Sequence, residues 1–146
     1  MTPEWAQARF AAARVARLAT IGRDGRPHLV PIVFAVAEST VYSAVDAKPK
    51  RTTALRRLAN VEANPGVALL ADHYDDGDWD ALWWVRADGT GRVLTPDAAE
   101  ARRAVELLTK RYPQHRVSPP TGRVLAVDVI RWTGWTASGN TTDWEV

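Results

Sequence analysis

The stretch Leu18-Ala19-Thr20-Ile21-Gly22-Arg23-Asp24-Gly25-Arg26-Pro27-His28-Leu29-Val30-Pro31-Ile32-Val33-Phe34-Ala35-Val36 decides the fold. Two runs rich in apolar residues, 18–21 and 29–36, flank a turn whose Asp24-Gly25 pair tolerates the backbone angles a tight hairpin needs. The two strands are therefore antiparallel neighbours. Pro31 interrupts the second. A proline has no N–H to give to a ladder, so its strand lies at an edge or carries a bulge. Backbone groups near that gap remain open to a partner other than a strand.

Upstream, Thr2 caps a helix with Pro3 at its first position and Glu4 at the positive end of its dipole. Trp5, Ala8, Ala12 and Val15 are its expected apolar stripe. Downstream, a third strand spans 40–45 and a second helix spans 52–63, with Leu55, Leu58 and Val61 facing inward and Asn64-Pro65-Gly66 stopping it. A strand at 67–71 and an acidic loop at 72–80 lead into strands at 82–86 and 92–94, joined by an expected Asp88-Gly89 turn. A third helix opens at Thr95-Pro96-Asp97, shows Ala101, Val105, Leu108 and Tyr112 on one face, and ends at Pro113. Residues 124–135 form a long last strand. Strands linked mostly as hairpins, with about three helices, give a mainly-β, α+β domain: an antiparallel sheet closed into a small barrel with helices outside. Residues 1–138 read as one domain and 139–146 as a mobile polar tail.

Composition narrows the chemistry. The 146 residues include 19 basic and 17 acidic side chains, for a net charge of +2, and 46% are hydrophobic, which excludes a disordered chain. A chain of this length removes roughly 70% of its unfolded surface from water, enough for a core without staples. There is no cysteine, which excludes disulfides, thiolate metal sites and a cysteine nucleophile. The longest apolar run, 29–37, is broken by Pro31 and falls far short of the roughly 20 residues of a membrane span. The first residues lack the order of a signal peptide, so a cytoplasmic location is expected.

Of the 19 basic residues only three are lysines, and Lys48 and Lys50 fall within Lys48-Pro49-Lys50-Arg51-Thr52 at the start of the second helix. Cations at a helix N-terminus oppose the dipole, by several tenths of a kcal/mol each. A bound anion resolves that conflict: amide groups, two ammonium groups, a guanidinium and a hydroxyl suit a phosphate. A solvated basic turn is the alternative. The sequence pI near 9.3 brings nucleic acid to mind, yet the other arginines are interleaved with acids and form no basic stripe, so no nucleic acid partner is expected.

The proline-bearing hairpin, the Lys-Pro-Lys-Arg-Thr turn opening a helix that ends in Asn-Pro, the Asp75-Asp76-Gly77-Asp78-Trp79 loop and the Leu82-Trp83-Trp84-Val85-Arg86 strand resemble one family. It is the pyridoxamine 5'-phosphate oxidase-like split β-barrels, also called FMN-binding split barrels. Within them the pattern is similar to the F420-dependent flavin/deazaflavin oxidoreductases of group B found in actinobacteria. The resemblance runs from about residue 18 to 135. It implies a homodimer with coenzyme F420, or alternatively FMN, across the subunit interface. It assigns the cofactor phosphate to Lys48, Lys50, Arg51 and Thr52, and the ring to the backbone of Pro31, Ile32 and Val33. Trp79 is similar to a tryptophan lining the partner's pocket, and Arg56 and Arg57 would meet the deazaflavin's polyglutamate tail.

The expected activity is hydride transfer from reduced F420 to a small conjugated substrate such as an enone or quinone, with cofactor carrying the hydride and protein supplying orientation. An FMN-dependent oxidase or reductase of the same fold, or a non-catalytic cofactor-binding protein, are the alternatives. That reading needs no acid–base set, and the sequence displays none. His28, His73 and His115 lack ligand spacing, so no metal is expected. His73 and Tyr74 are candidates for giving a proton to substrate, against a solvated loop end. The acidic loop lacks the terminal glutamate of a calcium loop. Trp83 and Trp84 alternate on a strand, so one faces the core and the other the outside of the barrel or a dimer partner. Trp132 and Trp135 should also face opposite ways, unless Gly134 introduces a bulge.

Overall fold

The computed structural model describes residues 2–44, 52–139 and 141–146. The first helix, α1 (Pro3–Ala12), is capped by the Thr2 hydroxyl, which accepts the Trp5 N–H at 3.1 Å. Eight strands follow: β1 (Ala16–Ile21), β2 (Pro27–Ile32), β3 (Ala35–Ala37), β4 (Thr40–Ala44), β5 (Gly66–His73), β6 (Trp83–Leu94), β7 (Val124–Thr136) and β8 (Thr142–Glu145). The helix α2 (Thr52–Ala63) lies between β4 and β5, and α3 (Ala99–Arg111) and α4 (Pro113–Val117) lie between β6 and β7. A short 3-10 turn spans Trp79–Ala81.

All ladders are antiparallel and run in the order β2-β1-β5-β6-β7-β4-β3, with β8 added on β7. The two ends of that order are one stretch of chain. Residues 27–32 pair with β1 and residues 35–37 pair with β4. The barrel therefore closes through a single segment that changes partner at Val33-Phe34. Pro31 lies in the half paired with β1 alone, as a residue without an N–H requires.

The break would strand the backbone of Phe34. Tyr112, at the end of α3, prevents this: the Phe34 N–H donates to its hydroxyl at 3.2 Å, and the hydroxyl shares its one proton between Phe34 O at 2.9 Å and Arg14 O at 3.1 Å. The Arg111 guanidinium adds a bond to Phe34 O at 3.0 Å and another to Ala13 O, and stacks over the Phe34 ring. Burial holds the Arg111 guanidinium below its ordinary pKa.

Two clusters make the core. Phe10, Leu18, Phe34, Leu58, Leu69, Val85, Leu125, Val127 and Trp132 fill the barrel, with Phe10 ring-to-ring against Phe34 and Trp132 at 4.9 and 5.3 Å. Tyr42, Ala101, Ala104, Leu108, Tyr112, Val124 and Ala126 join α3 to the outside of β4 and β7. Each large side chain so buried contributes about 1.5–3 kcal/mol relative to exposure. α3 is further tied down by Arg92 (β6), which bonds both Glu100 oxygens at 2.9 Å and Asp128 at 2.6 and 3.0 Å, while Tyr42 donates to Glu100 at 2.7 Å. Those bonds, Arg92's first, lower Glu100 to about 2. Burial and then the Glu100 bond push Tyr42 up to about 12.

Several expectations are corrected. In α1 the buried residues are Ala6 and Phe10, while Ala8, Ala12 and Val15 are exposed. The small alanines gave a stripe at helical spacing on more than one face, and the aromatic ring decides which one packs. Leu55 is exposed, unlike Leu58 and Val61. Asp88-Gly89 makes no turn, because β6 runs unbroken for 12 residues. The glycine answers a different need: a Cβ there would sit 2.5 Å from Asp128 O, where β7 carries Ile130 as an extra bulged residue. The bulge is thus at Ile130 and not at Gly134. Thr95 precedes a turn and α3 starts only at Ala99; Pro113 opens α4, a fourth helix, instead of merely ending the third. Residues expected as a mobile tail pair with β7 as β8, where Trp144 packs on the core.

Candidate functional site

A cavity of about 530 Å³ lies beside the split strand. Pro31, Ile32 and Val33 form one side, Ser43 and Ala44 at the end of β4 another, Arg57 comes from α2, and Tyr112 and His115 come from the α3–α4 junction. Ile32 is buried, Val33 half-buried and Pro31 exposed, the pattern of a strand turning its edge to the cavity. The structure thus brings Pro31, Ile32, Val33 and Arg57 together. Lys48, Lys50 and Arg51 lie outside the described residues. Thr52 is the first residue of α2, and its side chain is not described. Trp79 stands 66% exposed on the 3-10 turn and does not line this cavity.

Arg57 is the electrostatic centre. Burial lowers its pKa, the sole cause of the shift, and its Nε is buried with no hydrogen-bond partner among the described residues. A guanidinium stays charged at any accessible pH, so keeping it partly from water costs free energy that a nearby anion offsets. Among the described residues no carboxylate lines the cavity. An anionic group fits there on charge grounds.

Sequence reasoning missed Tyr112, Gln114 and His115 as cavity residues. The signal was present in Tyr112-Pro113, because proline favours the first position of a helix as much as the end of one. Arg56, next to Arg57, lines a separate polar cleft of about 550 Å³ with Arg23, Arg26, His28 and Asn60. Neighbouring arginines on α2 therefore serve different hollows.

A third hollow, about 660 Å³, lies on the outer face of the sheet between Arg17, Leu29, Leu70, Tyr74, Trp84 and Trp135. Trp84 and Trp135 line it; Trp83 touches its rim but packs on the core and meets Trp5 edge-to-face at 6.3 Å, and Trp132 is buried. The expected alternation of both tryptophan pairs is what the strands produce. Leu29, Ile21 and Leu70 leave apolar surface in solvent on that face. His73 stacks on Trp83 at 6.4 Å and borders this hollow with Tyr74, away from Arg57. In the acidic loop, Asp75 accepts the Gly77 N–H at 2.9 Å and Asp76 accepts the Tyr74 hydroxyl at 2.9 Å, the bonds of a solvated turn. Among the described residues no cluster of three or more His, Asp or Glu forms a metal site, and no helix is long and apolar enough to cross a membrane.

Comparison with known proteins bears on this geometry. A sequence profile described as pyridoxamine 5'-phosphate oxidase matches residues 1–136. A 5a,11a-dehydrotetracycline/5a,11a-dehydrooxytetracycline reductase from Streptomyces rimosus is 30% identical over 86 residues, which is 59% of this chain and 59% of that protein's length. Among solved structures, a conserved hypothetical protein from Mycobacterium tuberculosis superposes with a TM-score of 0.74 at 23% identity, over 93% of this chain and 85% of the other. A heme binding protein from Mycobacterium smegmatis gives 0.78 at 16% identity, over 99% and 59%. A FAD-binding protein from Mesorhizobium loti gives 0.69 at 22% identity, over 92% and 94%. These likenesses show the split-barrel fold.

Proposed function

The chain belongs to the pyridoxamine 5'-phosphate oxidase family, and on that premise we propose that it is a homodimeric oxidoreductase using coenzyme F420 to reduce a small conjugated substrate. The observation that carries this reading is the desolvated Arg57 guanidinium in a cavity walled by the split strand and, among the described residues, lined by no carboxylate. The bound deazaflavin supplies hydride. The chain's own residues do the rest. Arg57 holds the anionic part, and Lys48, Lys50, Arg51 and Thr52, which precede it in sequence, are assigned the cofactor phosphate. Pro31, Ile32 and Val33 offer a flat wall and strand-edge backbone for a ring, and Trp79 reaches toward the partner's site.

The similarity to a reductase of a dehydrotetracycline supports a conjugated, ring-bearing substrate. The second subunit is assigned to the outer sheet face. Leu29, Ile21 and Leu70 with the half-buried Trp84 and Trp135 form the kind of apolar patch that marks an interface. A flavin is the second reading, favoured by the likeness to a FAD-binding protein.

The test is direct. Titration of the purified protein with F420 and, separately, with FMN is followed by cofactor fluorescence and tryptophan quenching, and then by turnover on a panel of enones and quinones. Saturable F420 binding with enone reduction is the expected outcome. Tight FMN binding with no response to F420 replaces the deazaflavin by a flavin. Binding without turnover assigns a carrier role.

A further inference from the structure

We propose that the second copy lies on the outer sheet face with its strands reversed, so that the acidic loop 72–80 of each chain docks on the arginine-lined cleft of the other. The proposal deepens the dimer reading and rests on it: that reading names the face, and charge sets the orientation. The loop carries five aspartates, Asp72, Asp75, Asp76, Asp78 and Asp80, with no lysine or arginine, and all nine of its residues are exposed. Arg17 pairs with Asp72 at 3.4 Å, and among the described residues the other four aspartates have no ion pair. The cleft combines Arg23 and Arg26 of the β1–β2 turn with Arg56 of α2, all three exposed and none ion-paired among the described residues. Its one carboxylate among those residues, Asp24, accepts the Arg26 backbone N–H at 3.1 Å.

The ladders put these charges at opposite ends of one face. β1 runs toward the arginine turn and β5 toward the acidic loop, and the two are antiparallel, with Arg17 opposite Leu70 and Ala19 opposite Ala68. Leu29, opposite Ala19, lies with Ala68 and Leu70 in the apolar hollow between the two ends. The six residues of β1 separate those ends by about 20 Å, more than two Debye lengths at physiological salt, so each end presents its own field. A two-fold axis that brings this face onto its own copy lies in the plane of contact. With the axis along the strands, like ends meet, aspartates against aspartates and arginines against arginines. With the axis across the strands, each acidic loop meets an arginine cleft, and the contact is made twice. Repulsion opposes the first arrangement and attraction favours the second.

The chain has no cysteine, so a single introduced one reports its position without background. Full-length Asp78→Cys and Arg26→Cys proteins, their folds checked by circular dichroism, are treated with a short bismaleimide, each alone and as a mixture after subunit exchange. Sedimentation follows association in parallel. The result expected is a crosslinked dimer from the mixture and none from either protein alone. Crosslinking of either protein with itself overturns the orientation and leaves the dimer standing, and so does a dimer whose mixture gives no crosslink. Sedimentation as a monomer at every concentration removes the dimer reading and the orientation together. Charge reversal is the second measurement. Arg26→Asp and Asp78→Lys should each weaken self-association about fivefold or more, because every substitution counts twice in a symmetric pair. The two reversals combined in one chain should restore it, and losses that simply add in the combined chain overturn the proposal.

Discussion

Arg57 and Tyr112 show how single side chains serve a split strand. Arg57 is a cation kept partly from water with no acceptor for its Nε among the described residues, so its removal should relieve the unliganded protein while harming the liganded one. Arg57→Met is expected to leave thermal stability unchanged or raised, and to weaken cofactor binding at least tenfold, read by calorimetry and fluorescence titration. Tyr112→Phe is the opposite case. It keeps the ring and deletes one oxygen that serves Phe34 N–H, Phe34 O and Arg14 O. A loss of about 1–3 kcal/mol in urea unfolding is expected, because buried backbone groups lose their partner.

At the scale of elements, Gly89 and the Arg92 cluster determine how β6, β7 and α3 hold together. Gly89→Ala places a methyl 2.5 Å from a backbone oxygen that no rotamer change can move. It should cost about 1–3 kcal/mol and disturb the Ile130 bulge, seen as a lowered unfolding midpoint. The carboxylate of Glu100, held at about 2, favours the folded state above the ordinary glutamate range and loses that advantage as pH falls from about 4.5 toward 2. Glu100→Gln should flatten that acid limb, and the screened pair limits the effect at neutral pH to about 1 kcal/mol. Tyr42 acts at the other end: with its folded value near 12, stability drops as pH climbs from about 10 to 12. These elements also show what the sequence could and could not convey. The 18–36 hairpin, α2 and β7 follow from periodicity and turn residues, because local chemistry determines them. Asp88-Gly89 misled, since a glycine required by a neighbouring strand's close approach carries the same letter as one required by a turn. Pro31 marks a gap in the ladder by its residue type alone, whereas Arg57 enters as a candidate only through the family resemblance. His115 was not legible as a candidate, because only the return of α4 onto the split strand brings it near them.

For the molecule as a whole, the outer sheet face yields the prediction that two copies associate there. Leu29, 66% exposed, lies on that face, and Leu29→Asp should convert a dimer into a folded monomer by sedimentation, with cofactor binding lost in parallel. Circular dichroism should remain that of the parent. The closure of the barrel has a consequence for how the chain reaches its final form. The hairpins β1–β2 and β3–β4 each join residues close in sequence, so they form fast and independently. They remain two separate pieces until β7 arrives, because that strand pairs with both β4 and β6 and carries β8 as well. During synthesis residues 124–136 leave the ribosome after every other strand of the ring. The barrel's apolar interior thus has no last wall until residues 124–136 have been made, and chaperone contact with the nascent chain is expected in that interval.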